Sequence, residues 1–205
     1  MKKQYTPDDL KFYDATHSYY MEGKELTSVT YALQSCGILD YSGVHWELLE
    51  RAKLIGDIVH EIAHMYALGT LDESTVDINL GGYLEAIKKY FRENVKEVIS
   101  VESKVFDLNF QYAGRTDIAY IGHDMRKNID DYKTGVAIPL AARLQTAAYQ
   151  KAFEKNYNIK IPGRGAVYLN HDGTYTRTKF TNRQDFHEFI KCVGIARLKD
   201  SYQIK

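Results

Sequence analysis

Apolar side chains recur every three or four positions through two long segments in the first half of the chain, which is the periodicity of amphipathic helices. The clearer segment spans residues 45–68, and Gly69 directly after it is a typical helix end. The second segment spans residues 80–98, with lysines and an arginine on its outer face. The same periodicity predicts a helix that follows Pro139 and a last helix over residues 182–199.

The hydrophobic period changes to two in the middle of the chain, where polar and apolar residues alternate as they do in β-strands. Two further alternating segments flank a short polar turn near the C-terminus and predict a hairpin. The predicted strands cover residues 101–108, 115–121, 127–133, 165–170 and 175–180.

The N-terminal part also alternates, with aromatic and polar residues over 11–26 that predict a hairpin. Thr27 or Ser28 can cap a short helix after it, and Gly37 would stop that helix. This order of elements predicts an α/β fold with a mixed central β-sheet flanked by helices, plus an N-terminal hairpin and helices.

Composition favours one globular domain, because 44% of the 205 residues are hydrophobic and 26% are charged, which is enough to bury a core and excludes a disordered chain. No linker or repeat divides the sequence. The expected domain covers 1–205, with an annex over 1–44, helices over 45–100 and the main core over 101–205. No apolar run approaches the roughly 20 residues of a membrane helix, and the N-terminus lacks the apolar stretch of a secretory signal.

The two cysteines indicate the cellular compartment, and the distribution of charge indicates which binding faces are possible. Cys36 and Cys192 lie far apart, without the spacing of a metal or disulfide pair, and favour a reduced cytoplasmic compartment. Residues 1–125 hold 12 basic and 20 acidic side chains, whereas residues 126–205 hold 15 basic and 7 acidic ones. This asymmetry is compatible with a phosphate-binding face beside a metal-binding one, and equally with two halves that attract each other.

One histidine pair matches the His-Glu-x-x-His signature of zinc proteases. His60 and His64 flank Glu61, and residues four apart share a helix face, so two imidazoles could bind one Zn²⁺ while the glutamate activates water. A third ligand would have to come from elsewhere, and Glu85 is the acidic residue early in the next predicted helix. The motif therefore has two interpretations at this point: a zinc protease, or a pair of partly buried structural histidines.

Two acidic residues interrupt neighbouring predicted strands. Asp117 and Asp131 flank a tight turn, so both carboxylates reach the same end of the sheet. Two nearby carboxylates repel unless a hard cation such as Mg²⁺ or Mn²⁺ lies between them. Lys133 points to the same face as Asp131, where an ammonium can orient a water and neutralise charge on a phosphate. Asp130 faces the other way and is interpreted as a bystander.

These residues belong to an ordered series of motifs: Gly-Arg-Thr-Asp at 114–117, Asp-Tyr-Lys-Thr-Gly at 131–135 and Gln-x-x-x-Tyr at 145–149. The series resembles the PD-(D/E)XK nuclease superfamily, and within it the RecB-like branch that includes phage exonucleases and the CRISPR adaptation nucleases. The segment 56–60, Gly-Asp-Ile-Val-His, is similar to the upstream histidine motif of that branch. Residues 17–30 are similar to the N-terminal hairpin of its phage-type members.

The resemblance implies a set of metal ligands. Asp117 and Asp131 would bind the metal through their carboxylates, and the main-chain carbonyl of Tyr132 would add a third oxygen. His60 would be a further ligand, which accounts for it without zinc. Glu102 would contact the metal directly or through water, or is a solvated strand-end residue.

The resemblance also implies roles around the metal. Lys133 would assist the attack of a metal-activated water. Gln145 and Tyr149 share a helix face and would lie beside the metal site or the DNA backbone; the alternative is a helix that packs on the sheet through Tyr149. His64 is left as a structural residue. Residues 101–205 would then form a restriction-endonuclease-like catalytic core.

The activity implied is that of a Mg²⁺- or Mn²⁺-dependent DNA nuclease, with exonuclease action favoured over endonuclease action, in phage-type recombination or DNA processing. Arg115, Arg143 and Arg164 are expected to contact DNA phosphates. The neutral net charge is low for a duplex binder, which a ring-shaped homo-oligomer with a basic channel would offset, and a recombinase is a further possible partner. The alternative is a module of the same fold that binds DNA, or docks in a recombination complex, without cutting.

Overall fold

A mixed β-sheet forms the centre of the computed structural model, which describes residues 5–13, 16–135 and 137–204. Residues 14–15, inside the predicted N-terminal hairpin, lie outside the described residues. The strands are β1 (Lys11–Tyr13), β2 (Ser18–Met21), β3 (Lys24–Ser28), β4 (Val95–Asp107), β5 (Tyr112–Gly122), β6 (Lys127–Lys133), β7 (Gly163–Leu169) and β8 (Tyr175–Lys179). The α-helices are α1 (Val29–Ser35), α2 (Trp46–Leu68), α3 (Gly81–Asn94), α4 (Pro139–Tyr157) and α5 (Asp185–Tyr202).

Strand β5 is central to the sheet because it pairs with three other strands. Its whole length pairs antiparallel with β4 on one side. On the other side its first residues pair parallel with β3, and its last residues pair antiparallel with β6. The sheet continues from β6 to a parallel β7 and then to an antiparallel β8, and α4 makes the crossover between β6 and β7.

Helices cover both faces of the sheet, which confirms the predicted α/β class with a mixed sheet. On one face α1, α4 and α5 pack around Leu33, Phe153 and Phe189. On the other face α2 and α3 pack through a second buried cluster that contains Val59 and Ile87. In the described part of the chain, none of the helices combines the length and the hydropathy that a bilayer-spanning segment needs.

The predicted helix over residues 80–98 is too long by one turn. Helix α3 ends at Asn94, and β4 begins at the next residue, Val95. The side chains at this boundary have an apolar period compatible with either element, but Val98 faces Tyr120 of β5 in the sheet. Cross-strand pairing therefore decides the conformation where local periodicity does not.

The N-terminal annex contains three strands where the sequence predicts a simple hairpin. Strands β1, β2 and β3 pair antiparallel in order, and β3 then joins the main sheet beside β5. Ser28 caps α1 as predicted, since its side chain accepts a hydrogen bond from the N–H of Tyr31 at 3.1 Å. The annex is therefore an extension of the central sheet, and α1 starts at the point where β3 joins it.

Asp130 faces away from Asp131, as predicted, and it is also a buried anchor between β6 and β8. Its carboxylate is fully buried and accepts hydrogen bonds from the hydroxyls of Tyr90, at 2.9 Å, and Tyr120, at 2.8 Å. The guanidinium of Arg177 donates to both carboxylate oxygens, at 2.5 and 3.0 Å. A buried charge persists only when it is paired and hydrogen-bonded, and this network satisfies that condition.

Removing the charge of Asp130 is expected to destabilise the fold strongly. In the Asp130→Asn variant Arg177 would be left as an unpaired buried cation, which costs about 3–5 kcal/mol of the free energy of unfolding. Urea denaturation followed by circular dichroism measures the loss. Glu188→Gln is the matched control, because it removes one partner of the exposed pair with Lys191 and should leave the unfolding midpoint nearly unchanged. Equal effects of the two substitutions would contradict this account.

Candidate metal centre

Strands β5 and β6 separate at the candidate site. Their ladder ends at the pair Ile118–Asp130, so Asp117 and Asp131 lie just beyond the last paired residues. The next free N–H of β6, that of Tyr132, donates to the carboxylate of Asp117 at 2.6 Å instead of to the backbone of β5. The Asp117 side chain thus fills the gap between two diverging strands, where a backbone donor fixes its direction.

His60 reaches this gap from the middle of α2. Its Nε2 lies 3.1 Å from the carbonyl oxygen of Tyr132, to which it donates as an N–H. Its Nδ1 lies 3.5 Å from Oδ1 of Asp117. Because Nε2 is committed to the backbone carbonyl, Nδ1 is the imidazole atom that faces the carboxylate and is available to a cation.

Glu102 approaches the same point from β4. The pairs Val101–Ile118 and Ser103–Thr116 place it opposite Asp117. Its φ of 49° is in the left-handed region, which is unfavourable for a residue with a side chain. Such backbone strain is held by the surrounding structure and concentrates at functional sites.

One ligand atom from each of His60, Glu102 and Asp117 lies within 4.8 Å of the other two. In the described ranges, with residues 14–15 and 136 set aside, this is the one such group of three or more, and His64 is not part of it. The His-Glu-x-x-His match therefore brings a single histidine to the cluster, which is not the arrangement of a zinc protease. The carboxylate of Glu102 also pairs with Arg115, at 2.7 Å.

The electrostatics of the cluster favour a bound cation. Burial, together with repulsion from Asp117, raises the pKa of Glu102 to about 7. Burial opposes a charged imidazole, yet the carboxylate of Asp117 outweighs it and raises the pKa of His60 to about 9. Burial likewise opposes ionisation of Asp117, but His60 and the Tyr132 N–H keep its pKa below the ordinary value. The imidazolium thus occupies the electrostatic position that a divalent cation would take.

The donor set fits a divalent cation. Two carboxylates supply the hard oxygen ligands that Mg²⁺ and Mn²⁺ prefer, and one neutral imidazole nitrogen completes three protein ligands. Three ligands leave coordination positions open for water and substrate. A cation would displace the proton of His60 and remove the repulsion between Glu102 and Asp117.

Asp131 and Lys133 form a second part of the site, on the side of α4. The Lys133 ammonium lies 2.7 Å from Oδ2 of Asp131 and donates to Oε1 of Gln145 at 2.9 Å. The amide of Gln145 donates in turn to the hydroxyl of Tyr149 at 3.1 Å. Burial opposes the charge of Lys133, but the carboxylate of Asp131 keeps its pKa above the ordinary value, so the ammonium stays protonated.

Asp131 itself is nearly inaccessible, and its Oδ2 accepts no hydrogen bond of good geometry within the described residues. Burial raises the pKa of Asp131 to about 6, against the effect of Lys133. Asp131 is close enough to interact with both Asp117 and His60. The structure thus brings the predicted residues together, with His60, Glu102 and Asp117 in one ligand group and Asp131 bound to the lysine.

Gly114, the first residue of the Gly-x-x-Asp motif, is needed for close packing. A Cβ on Gly114 would lie 2.6 Å from the ring of Tyr149 and 3.2 Å from the side chain of Val29. The missing side chain allows α4 to approach β5, which places Gln145 against Lys133. This contact joins β5 to α4 and could not be read from the sequence.

The three arginines expected to contact DNA have different surroundings. Arg115 is partly exposed and lies beside the ligand group through Glu102. Arg143 is about one-third exposed and pairs with Asp185 at 2.7 Å. Arg164 is 4% exposed and donates to Asp185 and to two backbone carbonyls. A phosphate cannot reach a guanidinium enclosed in this way, so the expectation for Arg164 is corrected: it joins β7 to α5.

A largely apolar cavity of about 650 Å³ opens directly beside the site. It lies between α2, the segment that follows α1, and the start of α4. Its lining includes Lys133 and Gln145 of the site, together with Tyr41, Leu48 and Tyr168. Groups held in this cavity would therefore lie next to the Lys133 ammonium.

Divalent cations are expected to stabilise the protein through the three-residue ligand group. At a Mn²⁺ concentration about a hundredfold above Kd, the melting temperature should rise by roughly 5–10 °C. Asp117→Asn should abolish this rise, whereas His64→Ala, one helical turn from His60, should retain it. Thermal unfolding with and without chelator measures the effect. Loss of the rise in His64→Ala, with Zn²⁺ as the stabilising ion, would instead support the zinc signature.

A side chain at position 114 is expected to disturb the packing under Lys133. Gly114→Ala forces a Cβ against the ring of Tyr149 and should cost about 1–3 kcal/mol of the free energy of unfolding. Gly194→Ala in α5 is the control, since its Cβ meets nothing within 4 Å and should stabilise the helix by about 0.5–1 kcal/mol. Urea denaturation of both variants tests the account, which requires changes of opposite sign.

No protein-family profile and no curated protein sequence matches the chain. Among solved structures it is similar to a protein from Eubacterium rectale described as a candidate exonuclease, with 16% sequence identity, 86% of this chain and 82% of that chain covered, and a TM-score of 0.54. It is also similar to an alkaline exonuclease from Laribacter hongkongensis, with 9% identity, 87% and 89% of the two chains covered, and a TM-score of 0.47. The first of these likenesses, with the mixed sheet and its flanking helices, shows that the chain has the restriction-endonuclease-like fold expected from its sequence.

Proposed function

We propose that this protein is a metal-dependent nuclease that hydrolyses phosphodiester bonds in DNA, with exonuclease action favoured over endonuclease action. The observation that carries the proposal is one juxtaposition. The ligand group of His60, Glu102 and Asp117 lies beside the ion pair of Asp131 and Lys133, at the gap between β5 and β6. A cation site next to a positioned ammonium suits a reaction in which negative charge develops on a phosphate.

His60, Glu102 and Asp117 would hold the cation, with Mg²⁺ or Mn²⁺ as the preferred ions. When bound, this ion supplies Lewis-acid chemistry at a phosphate oxygen and lowers the pKa of water. The protein contributes the orientation of the ligands. The Tyr132 backbone fixes both Asp117, through its N–H, and His60, through its carbonyl.

Lys133 would act on the attacking water and on the developing charge. Its ammonium stays protonated beside Asp131, so it serves as a hydrogen-bond donor and as a positive charge. Gln145 and Tyr149 are positioning residues, because they hold the ammonium through the chain of hydrogen bonds from α4. Asp131 would join the ligands once the cation competes with Lys133 for its carboxylate.

The proposed substrate is DNA with an accessible end. The cavity beside Lys133 has aromatic and apolar walls, on which unpaired bases at a strand end can stack. Arg115 and Arg143 are the proposed phosphate contacts, since both guanidinium groups are partly exposed. The likeness in fold to a candidate exonuclease supports the preference for end-directed cleavage.

Lys133→Ala is expected to lower cleavage at saturating Mg²⁺ or Mn²⁺ by about 10²–10⁴-fold, because the positioned donor is lost while the metal ligands remain. The assay follows end-labelled linear duplex, its single strand and covalently closed circular DNA in parallel. Lys151→Ala, an exposed lysine on the outside of α4, is the matched control and should cleave like the unchanged protein. Undiminished cleavage by Lys133→Ala would contradict the role proposed for Lys133 and, with it, the proposed nuclease site.

The same assay separates the alternatives. Degradation of linear DNA alone identifies an exonuclease, and nicking of the closed circle identifies an endonuclease at the same site. If neither form is cut but DNA binds equally well in chelator, the protein is a binding module. In that case the metal-dependent rise in melting temperature, measured separately, would still report on the ligand group.

A further inference from the structure

Two thiols that the sequence separates by most of the chain are in contact in the fold. Cys36 is the residue that ends α1, and Cys192 lies in the middle of α5. Both are free, and their Sγ atoms lie 2.7 Å apart. Their spacing in the sequence matches no disulfide pattern. Contact in space, and not spacing in sequence, decides whether two cysteines can be joined.

The surroundings of the two sulfurs differ. Cys192 is 4% exposed and belongs to the buried cluster that contains Leu33, Phe189 and Val193. Cys36 is partly exposed at the edge of this cluster, and its thiol also donates a long hydrogen bond, 3.4 Å, to the carbonyl of Leu33. A reagent from solvent can therefore reach Cys36, while Cys192 is positioned behind it.

We propose that Cys36 and Cys192 form a reversible disulfide that fastens the end of α1 to α5. The partner in the reaction is a low-molecular-weight disulfide such as oxidised glutathione. This inference is independent of the nuclease proposal, since neither cysteine belongs to the candidate site.

The order of the two thiol–disulfide exchange steps follows from the difference in exposure between Cys36 and Cys192. The Cys36 thiolate attacks one sulfur of oxidised glutathione, which forms a mixed disulfide and releases one glutathione thiolate. The Cys192 thiol gives its proton to that thiolate, and its sulfur attacks Sγ of Cys36 and releases the second glutathione. Two electrons pass from the protein thiols to glutathione. Burial and the neighbouring thiol raise the pKa of Cys192 to about 12, so Cys36 reacts first.

The disulfide would close a loop that contains most of the sheet and the whole candidate site. A crosslink across a loop of this length restricts the unfolded chain strongly and stabilises the native state. It would also fix the start of the segment 37–45, part of which forms a wall of the cavity beside Lys133. The oxidised form should therefore keep this wall in place at temperatures that loosen the reduced form.

The experiment compares the full chain after incubation with oxidised glutathione or with reduced dithiothreitol. Proteolysis without reductant, followed by mass spectrometry, should show a linked pair of peptides that contain Cys36 and Cys192. The melting temperature of the oxidised protein should exceed that of the reduced protein by roughly 5–15 °C. Reductant should reverse both changes.

Cys36→Ser is the main control, because Cys36 is partly exposed and the variant should fold. It should show no linked peptides and no difference in melting temperature between the two treatments. Cys192→Ala should behave in the same way; if it fails to fold, the result for Cys36→Ser decides alone. A link that forms only in urea, only between chains, or with an unchanged melting temperature would overturn the proposal, as would glutathione that stays on Cys36.

Discussion

The site depends on the divergence of β5 and β6, which are paired only next to the turn that joins them. Beyond Ile118 and Asp130 the ladder between β5 and β6 stops, and the carboxylate of Asp117 takes the hydrogen bond that the backbone of β5 would otherwise accept. The N–H of Tyr132 is satisfied by a side chain, so the divergence leaves no buried donor unpaired. The same gap admits His60 from α2, and Glu102 reaches Asp117 from β4, which is paired with the other edge of β5.

Two adjacent aspartates on β6 point to opposite faces of the sheet and have different partners. Asp130 points toward α3 and is neutralised by Arg177, within a network that leaves it no contact with solvent. Asp131 points toward α4 and is balanced by Lys133, whose side chain is one-third exposed. Both are buried carboxylates, but only the second has a partner that another charged group can reach. The enclosed ion pair of Asp130 thus joins strands of the sheet, whereas the ion pair of Asp131 and Lys133 is partly exposed beside the candidate site.

The sequence predicts those parts of the structure that local pattern controls. The helix of residues 45–68, the cap at Ser28 and the α/β order follow from periodicity and capping chemistry. The end of α3 was misplaced because cross-strand contact with Tyr120 fixes Val98. The role of Asp130 and the contact of Cys36 with Cys192 depend on distant segments that meet only in the folded chain. The placement of Asp117, Asp131 and Lys133 on neighbouring strands follows from the alternating pattern, whereas the close packing at Gly114 does not.

The turn between β5 and β6 also separates two groups of site residues in the sequence. The three members of the ligand group precede this turn, and Lys133 with its hydrogen-bonding partners follows it. The backbone of Tyr132, in the second length, bonds to both His60 and Asp117 of the first. In the proposed nuclease, the three-residue ligand group and the ammonium that would act on the phosphate thus lie in separate stretches of sequence. Substitutions in the second stretch can therefore change the surroundings of Lys133 while His60, Glu102 and Asp117 keep their positions.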